Sequence, residues 1–189
     1  MALTPSNMPA LGLQAPDFRL PDITGDWVSL GDLAASPALL VAFWCNHCPF
    51  VKHLQRGFSD FSHDYKDQGL AIVAINANDV ATNPEDSPAR MRAIAEEFDY
   101  CFPYLYDESQ AVARAYAAAC TPDFFLYDAN RQLVYRGQFD DSRPGKDISV
   151  TGIDLRTAVD TVLRGEAPAT DQKPSIGCNI KWRADNAAA

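Results

Sequence analysis

The stretch SPALLVAFWCNHCPFVKH, residues 36–53, predicts a buried strand that is followed at once by a helix. Its first half is continuously apolar, which is typical of a strand covered on both faces within a parallel sheet. Beyond the cysteines, apolar residues recur at helical spacing as far as Tyr65, and Pro49 stands where a first helical turn tolerates proline. The sequence therefore predicts a strand–turn–helix unit with Cys45 and Cys48 in its turn.

Strand-like and helix-like patterns alternate along the rest of the chain. The predicted elements are strands or hairpins over 17–33, 69–76, 102–107 and 123–139, and helices over 88–98, 107–119 and 155–163. This order predicts an α/β fold in which helices cover both faces of a sheet.

Length and composition are those of one globular domain. The chain has 189 residues, of which 47% are hydrophobic, and it shows no internal repeat and no convincing interdomain linker. We predict a single domain over residues 1–189, with a core at about 14–165 and a tail at 166–189.

The net charge and the N-terminal sequence indicate which partners and which location to expect. The formal net charge is −9 and no Lys/Arg-rich run occurs, which argues against nucleic acid and anionic membrane as partners. The first twenty residues have neither the pattern of a signal peptide nor that of a transmembrane segment. We therefore expect a cytoplasmic protein.

Five cysteines are scattered along the chain, and one close pair stands out. An odd number at irregular spacings is unlike a secreted disulfide scaffold, whereas a close pair in a reducing compartment is more often catalytic or metal-binding. The pair is Cys45 and Cys48. Cys120 is interpreted as a packing residue, Cys101 as a structural residue at a helix end, and Cys178, in the tail, as a candidate resolving cysteine.

The position of Cys48 predicts thiol chemistry. The predicted helix begins near this residue, and the N–H groups and dipole at a helix N-terminus favour a negative charge. A thiol placed there loses its proton more easily, and the thiolate is the nucleophilic form. Cys45 lies three positions earlier, close enough in a turn to attack a mixed disulfide formed at Cys48.

The segments LLVAFW, CNHCP, LAIVAIN and ACTPDFFLYD resemble the thioredoxin superfamily, in its peroxiredoxin-like (AhpC/TSA-type redoxin) branch. The resemblance implies a thioredoxin-like fold, with a central mixed sheet flanked by helices, an N-terminal extension and a C-terminal tail. It also implies a cis bond at Thr121–Pro122 that faces the reactive cysteine and leaves a backbone edge for substrates. Trp44, His47 and Pro49 would help to shape the same site. His47 would either tune the thiolate electrostatically or shuttle a proton, or else be a neutral residue of the turn that faces solvent.

Two alignments with the family are open at the cysteine turn. Placing Cys48 on the first cysteine of the thioredoxin motif leaves Val51 where the second belongs, while matching Trp44–Cys45 directly shortens the exit from the strand. We favour the first alignment because it puts Cys48 at the helix start. Peroxiredoxins carry a threonine three residues before their cysteine, and Cys45 occupies that position here, which places peroxidase activity in question.

The resemblance predicts a thiol–disulfide oxidoreductase or a peroxiredoxin-like antioxidant that acts through the Cys48 thiolate, with Cys45 or Cys178 resolving the intermediate. It requires no cofactor, but an external thiol reductant must recycle the protein. The substrate would be a peroxide or a protein or small-molecule disulfide, and the sequence does not decide the oligomeric state. The alternatives are a copper or zinc site at Cys45, Cys48 and His47, or a non-catalytic adaptor.

Overall fold

A five-stranded mixed sheet forms the centre of the fold in the computed structural model, which describes residues 3–186. Numbered in chain order, the strands are β1 (Leu3–Pro5), β2 (Arg19–Pro21), β3 (Trp27–Ser29), β4 (Ala38–Phe43), β5 (Leu70–Asn76), β6 (Tyr104–Tyr106), β7 (Cys120–Thr121), β8 (Asp123–Tyr127), β9 (Leu133–Gly137) and β10 (Ile176–Asn179). The helices are α1 (Pro49–Tyr65), α2 (Pro88–Glu97), α3 (Ala111–Ala115) and α4 (Ile153–Leu163), and short 3-10 turns cover 31–33 and 84–86.

The central sheet has the strand order β6-β5-β4-β8-β9. Strands β6, β5 and β4 are parallel, whereas β8 and β9 continue the sheet in antiparallel fashion. All six residues of β4 are buried, which explains the unbroken apolar run of this segment. The prediction of a mixed sheet flanked by helices is confirmed.

Helix α1 carries the end of the cysteine turn. Cys48 is its N-cap residue and Pro49 its first helical residue, where the missing N–H of proline costs no hydrogen bond. One face of the helix packs into the core through Val51, Phe58 and Phe61. The burial of this face fixes the direction of the helix, and with it the position of Cys48.

The tail contributes a strand to the structure. Strand β10 lies between β1 and β7 in a second sheet and is antiparallel to both. It places Cys178 opposite Thr121, and the bond from Thr121 to Pro122 is cis, as the resemblance implied. The segment assigned to a tail outside the core is therefore seated against the edge that leads into the cis-proline.

Two helices differ from their sequence predictions. The helix predicted over 107–119 is confined to α3 because Gln110 and Ala117, on either side of it, adopt positive φ angles of 63° and 52°. The Gln110 side chain binds the carbonyls of Ala77 and Lys181, contacts between distant segments that helical periodicity does not show. On α2, helical spacing predicts an inner face made of Met91, Ile94, Ala95 and Phe98, but only Met91 is buried and the other three are partly exposed.

Among residues 3–186, no helix combines the length and the apolar character that crossing a bilayer requires.

Candidate active site

The sulfur of Cys48 lies where three parts of the chain meet: the turn after β4, the cis-proline segment and strand β10. It is 2.7 Å from the sulfur of Cys178 and 3.2 Å from the carbonyl oxygen of Thr121. Both cysteines are buried, with exposed fractions of 0% for Cys48 and 2% for Cys178. The fold thus brings together two thiols that are 130 positions apart in sequence.

Of the three thiols at this site, Cys48 has the lowest pKa. Hydrogen bonding from the Cys45 thiol is the largest influence, and it acts with the Cys178 thiol and the Val51 N–H against the effect of burial. Together they lower the pKa of Cys48 to about 5. Because the thiolate is the nucleophile, Cys48 is the thiol of this site that is ready to attack at neutral pH.

The other two thiols are held in their protonated forms. Burial is the main cause that raises the pKa of Cys45 well above its ordinary value, followed by its hydrogen bond to Cys48 and the charge of Asp86. Burial and the hydrogen bond to Cys48 raise the pKa of Cys178 to about 12. Both thiols therefore stabilise the Cys48 thiolate as donors and do not compete with it for ionisation.

Cys45 follows Trp44 directly beyond the end of β4. Its sulfur is 3.1 Å from the Thr121 hydroxyl, so it also contacts the cis-proline segment. Hence all three cysteines named at this site from the sequence are brought together around Thr121, and their catalytic roles stay predictions.

The residues expected to shape the site occupy different layers of it. Trp44 is fully buried beneath the turn, where its ring packs on Phe58 at 4.8 Å and its Nε1 donates to the Tyr100 hydroxyl. Pro49 is exposed at the start of α1, and Pro122 is buried below Cys48. Trp44 therefore supports the turn from the core and does not form its rim.

His47 belongs to a contact that the sequence interpretation did not identify. Its Nδ1 lies 2.5 Å from Oδ2 of Asp86, a buried residue of the 3-10 turn at 84–86. The segment NDVATNPEDSP reads as a polar loop, and nothing local in it indicates that one carboxylate turns inward. Asp86 lies between Pro84 and Pro88, and this arrangement indicates a role at the site only when the fold of the turn onto the cysteines is known.

The remaining two cysteines have different surroundings. Cys120 is buried, as expected of a packing residue, and burial raises its pKa far above the ordinary value. The sequence predicts a structural role for Cys101; its side chain is exposed after the end of α2 and contacts the Ser62 hydroxyl at 3.1 Å, so it is not part of the core. Neither residue contributes a ligand or nucleophile to the cluster around Cys48.

The geometry also bears on the alternative of a metal site. Among the described residues, possible ligand atoms of Cys45, His47 and Asp86 lie within 4.8 Å of one another, a set that includes Asp86 where the sequence hypothesis had Cys48. Metal binding needs a thiolate and a neutral imidazole nitrogen. The raised pKa of Cys45 and the Nδ1 contact with Asp86 both oppose those forms.

Comparison with curated proteins finds thiol-redox relatives. The thioredoxin-like protein YneN of Bacillus subtilis is 32% identical over 117 residues, covering 62% of this chain and 65% of that protein. The thiol-disulfide oxidoreductase ResA of Geobacillus kaustophilus is 30% identical over 124 residues, covering 66% of this chain and 67% of its own length. The chain thus spans about 65% of the first curated relatives that it matches.

Solved structures extend the comparison to nearly the whole chain. A hypothetical protein of Sinorhizobium meliloti is 56% identical, with a TM-score of 0.95 and coverage of 96% of this chain and 99% of that one. The thioredoxin domain of a Bacteroides vulgatus thiol-disulfide oxidoreductase, 22% identical, shares the fold at a TM-score of 0.60 over 70% of this chain and 91% of its own. The thioredoxin-like fold is confirmed. Since the AhpC/TSA family profile matches residues 11–136, well over half of its length, the chain belongs to the AhpC/TSA family.

Proposed function

We propose that this protein is a thiol–disulfide oxidoreductase in which Cys48 attacks the substrate and Cys178 resolves the intermediate. The observation that carries the proposal is the 2.7 Å approach of the two sulfurs at the N-terminus of α1, beside the cis-proline segment. The lowered pKa of Cys48 supports its role as the attacking group. The names of the relatives, a thioredoxin-like protein and a thiol-disulfide oxidoreductase, agree with this chemistry.

The reaction consists of two exchanges. The Cys48 thiolate attacks one sulfur of a substrate disulfide, so a Cys48–substrate bond forms while the substrate S–S bond breaks, and the departing sulfur takes the electron pair and then a proton. Cys178 next loses its proton and attacks the Cys48 sulfur, so the Cys48–Cys178 bond forms while the Cys48–substrate bond breaks. The first substrate sulfur leaves with the electron pair as a thiolate and takes a proton from water. Two electrons pass to the substrate, and an external thiol reductant restores the dithiol.

Cys178 is favoured over Cys45 as the resolving residue because of its position. It lies on β10 with its sulfur 2.7 Å from that of Cys48, whereas Cys45 precedes Cys48 in the same turn and contacts the Thr121 hydroxyl. The Cys45 thiol supplies the strongest influence that lowers the pKa of Cys48. We therefore assign Cys45 to activation of the nucleophile.

The substrate class follows from the same geometry. A disulfide is favoured over a peroxide, because Cys45 stands where a peroxiredoxin threonine would bind the peroxide, and its raised pKa keeps it a thiol. Because Cys48 and Cys178 are both buried, the substrate can reach the sulfur only when β10 moves away from β7. A cytoplasmic location remains part of the proposal, since a reducing compartment would supply the thiol reductant.

The proposal is tested by mapping disulfides and by measuring exchange. Reduced protein is treated with one equivalent of hydrogen peroxide as a chemical oxidant, quenched by alkylation and analysed by peptide mass spectrometry. Insulin reduction is then measured for Cys48→Ser, Cys178→Ser and Cys45→Ser, with Cys101→Ser as the matched control, since Cys101 is exposed and apart from the cluster.

We expect a Cys48–Cys178 bond, loss of insulin reduction in Cys48→Ser, accumulation of a mixed disulfide in Cys178→Ser and full activity in Cys101→Ser. A Cys45–Cys48 bond instead would overturn the assignment of the resolving residue. Unchanged activity in Cys48→Ser would overturn the proposed function itself.

A further inference from the structure

Asp86 places a buried carboxylate directly against the cysteine turn. One of its oxygens accepts hydrogen bonds from the backbone N–H groups of Asn46, at 2.7 Å, and His47, at 3.3 Å. The other accepts from the Asn78 side chain at 2.7 Å and lies 2.5 Å from Nδ1 of His47. Four contacts thus converge on a residue with no exposed surface.

These contacts keep Asp86 ionised. Burial acts to raise the pKa of its carboxyl, but hydrogen bonds from His47, Asn46 and Asn78 outweigh burial and hold the pKa below its ordinary value. A buried carboxylate is costly unless its partners compensate it, and such groups are concentrated at functional sites. The buried charge of Asp86 therefore points to a role at the cysteine turn.

The partner of this charge is His47, and the charge of Cys48 is also among the influences that raise the pKa of its imidazole. His47 precedes Cys48 in the chain, its side chain is 13% exposed, and one of its ring nitrogens lies within 4.8 Å of the Cys45 sulfur. The hydrogen bond to Asp86 is the main cause that raises the pKa of His47, with burial and the charge of Lys181 acting against it. Because Nδ1 is engaged by the carboxylate, Nε2 is the nitrogen left to exchange a proton with the site.

We propose that Asp86 is a positioning residue that holds His47 as an imidazolium, so that its Nε2–H protonates the thiolate displaced when Cys48 attacks a disulfide. The proposal rests on the proposed function and adds to it the source of the leaving-group proton. It uses the logic of a base or acid oriented by a third group.

The proton and electron balance of the step is complete. As the Cys48 sulfur bonds to one substrate sulfur, the substrate S–S bond breaks and its electron pair goes to the departing sulfur. Nε2 of His47 gives its proton to that sulfur, which leaves as a neutral thiol, and the imidazole becomes neutral. The neutral imidazole then accepts the proton that Cys178 must lose before it attacks Cys48, which restores the imidazolium.

A purely structural role for Asp86 makes a different prediction. If Asp86 only fastens the 84–86 turn to the backbone of Asn46 and His47, its loss will slow every reaction of Cys48 to the same degree. A proton donor instead matters in proportion to the basicity of the leaving thiol, because an acidic thiol leaves readily as the anion whereas a basic alkyl thiol needs the proton.

The test therefore compares two leaving groups in single-turnover reactions of the reduced protein. Dithiobis(nitrobenzoate) releases an acidic aromatic thiol, and oxidised glutathione releases a basic alkyl thiol. All variants carry Cys101→Ser, which removes the exposed thiol that would react with either reagent. Asp86→Asn, His47→Asn and the double variant are compared with Cys101→Ser alone, and circular dichroism verifies that each one folds.

We expect both single variants to lose about 100-fold in rate with oxidised glutathione, the lower range for a general acid, and to change less than about threefold with the aromatic disulfide. The double variant should be no slower than His47→Asn, because Asp86 acts through His47. Equal slowing with both reagents, or additive losses in the double variant, would overturn the proposal.

Two outcomes of this experiment distinguish failure of the inference from failure of the proposed function. If Cys101→Ser alone fails to react with either disulfide through Cys48, the proposed function is wrong and the proposal falls with it. If it reacts but the variants show no dependence on the leaving group, only the role of Asp86 is wrong. Should Asp86→Asn fail to fold, His47→Asn decides the outcome by the same leaving-group comparison.

Discussion

At the residue scale, burial acts to raise the pKa of Cys48 and hydrogen bonding acts to lower it, and hydrogen bonding has the larger effect. Four donors, the Cys45 and Cys178 thiols and the backbone N–H groups of Val51 and Cys178, lower its pKa to about 5. An isolated buried thiol would shift the other way, as Cys120 does in the same molecule. The contrast arises from the placement of donors, because both residues are buried.

The lowered pKa predicts how the reactivity of Cys48 depends on pH. In the Cys101→Ser variant, the rate of alkylation of Cys48 by iodoacetamide should rise with pH, reach half its plateau near pH 5 and change little above pH 7. The rate is followed by peptide mass spectrometry, and thiol-independent loss is measured with Cys48→Ser. A midpoint near pH 9.0, the ordinary value for a cysteine, would contradict the hydrogen-bonded thiolate.

Removal of the Cys45 donor should move that midpoint. Cys45→Ala deletes the largest contribution to the low pKa and leaves the Cys178 and Val51 donors in place. We expect the alkylation midpoint of Cys48 to rise by about one to two pH units, the range that loss of a single strong hydrogen bond to a buried charge gives. Cys120→Ala is the control, since Cys120 donates no hydrogen bond to Cys48; an equal shift in both variants would count against a specific role for Cys45.

Sequence reasoning reached the cysteines of the site but not the carboxylate beside them. Cys45 and Cys48 lie in one turn, and the strand and helix on either side of it leave periodic patterns that fix their position. Asp86 comes close to them only because the turn at 84–86 folds back across the end of β5, where Asn76 donates to its backbone carbonyl. That contact joins segments whose patterns are independent, so no local pattern predicts it.

At the element scale, strand β10 brings the tail to the candidate site. It is antiparallel to β7, with Cys178 opposite Thr121, and it places the Cys178 sulfur 2.7 Å from that of Cys48. The sequence alone offers Cys178 as a candidate resolving cysteine and assigns no strand to the tail. Strand pairing between residues 120–121 and 178–179 is too distant in the chain for a hydrophobic pattern four residues long to specify its partner.

Gly177 sets how closely β10 approaches the cis-proline segment. A Cβ at this position would lie 2.6 Å from the carbonyl carbon of Thr121 and 3.1 Å from the nitrogen of Pro122, and both atoms belong to the backbone. Gly177→Ala should therefore push β10 away from β7. We expect Cys48 to be alkylated at least about fivefold faster at pH 7, and the yield of the Cys48–Cys178 bond after oxidation to fall.

Gly31→Ala is the matched control, because a Cβ there would meet nothing nearer than the Ser29 hydroxyl at 3.7 Å. Its alkylation rate and disulfide yield should equal those of the parent protein. Unchanged accessibility of Cys48 in Gly177→Ala would mean that substrates reach the sulfur by a route other than the displacement of β10.

At the scale of the whole molecule, the proposed oxidation would join segments that are far apart in the chain. A Cys48–Cys178 bond would link positions 130 apart and fasten β10, which pairs with β1, to the N-terminus of α1. In the chain-entropy description, a disulfide that closes a loop of that length stabilises the folded state by about 5 kcal/mol. A disulfide between Cys45 and Cys48 closes a much shorter loop and stabilises it by about 2 kcal/mol. Stability therefore reports which pair of cysteines is joined.

The thiolate of the reduced protein makes this difference depend on pH. Since the pKa of Cys48 is about 5 in the folded protein and 9.0 is its ordinary value, the reduced fold gains stability that is complete above pH 9 and is lost as the pH falls through 5. At pH 7 that gain is about 3 kcal/mol, which offsets much of the effect of the disulfide.

The free energy of unfolding of the oxidised protein should thus exceed that of the reduced protein by about 2 kcal/mol at pH 7 and by about 5 kcal/mol near pH 4.5. Urea unfolding of peroxide-oxidised and phosphine-reduced Cys101→Ser protein at the two pH values measures both differences. A gap of 2 kcal/mol or less at pH 4.5 would fit a bond within the cysteine turn and exclude the tail as the resolving strand, because a short loop constrains the unfolded chain too little to give more.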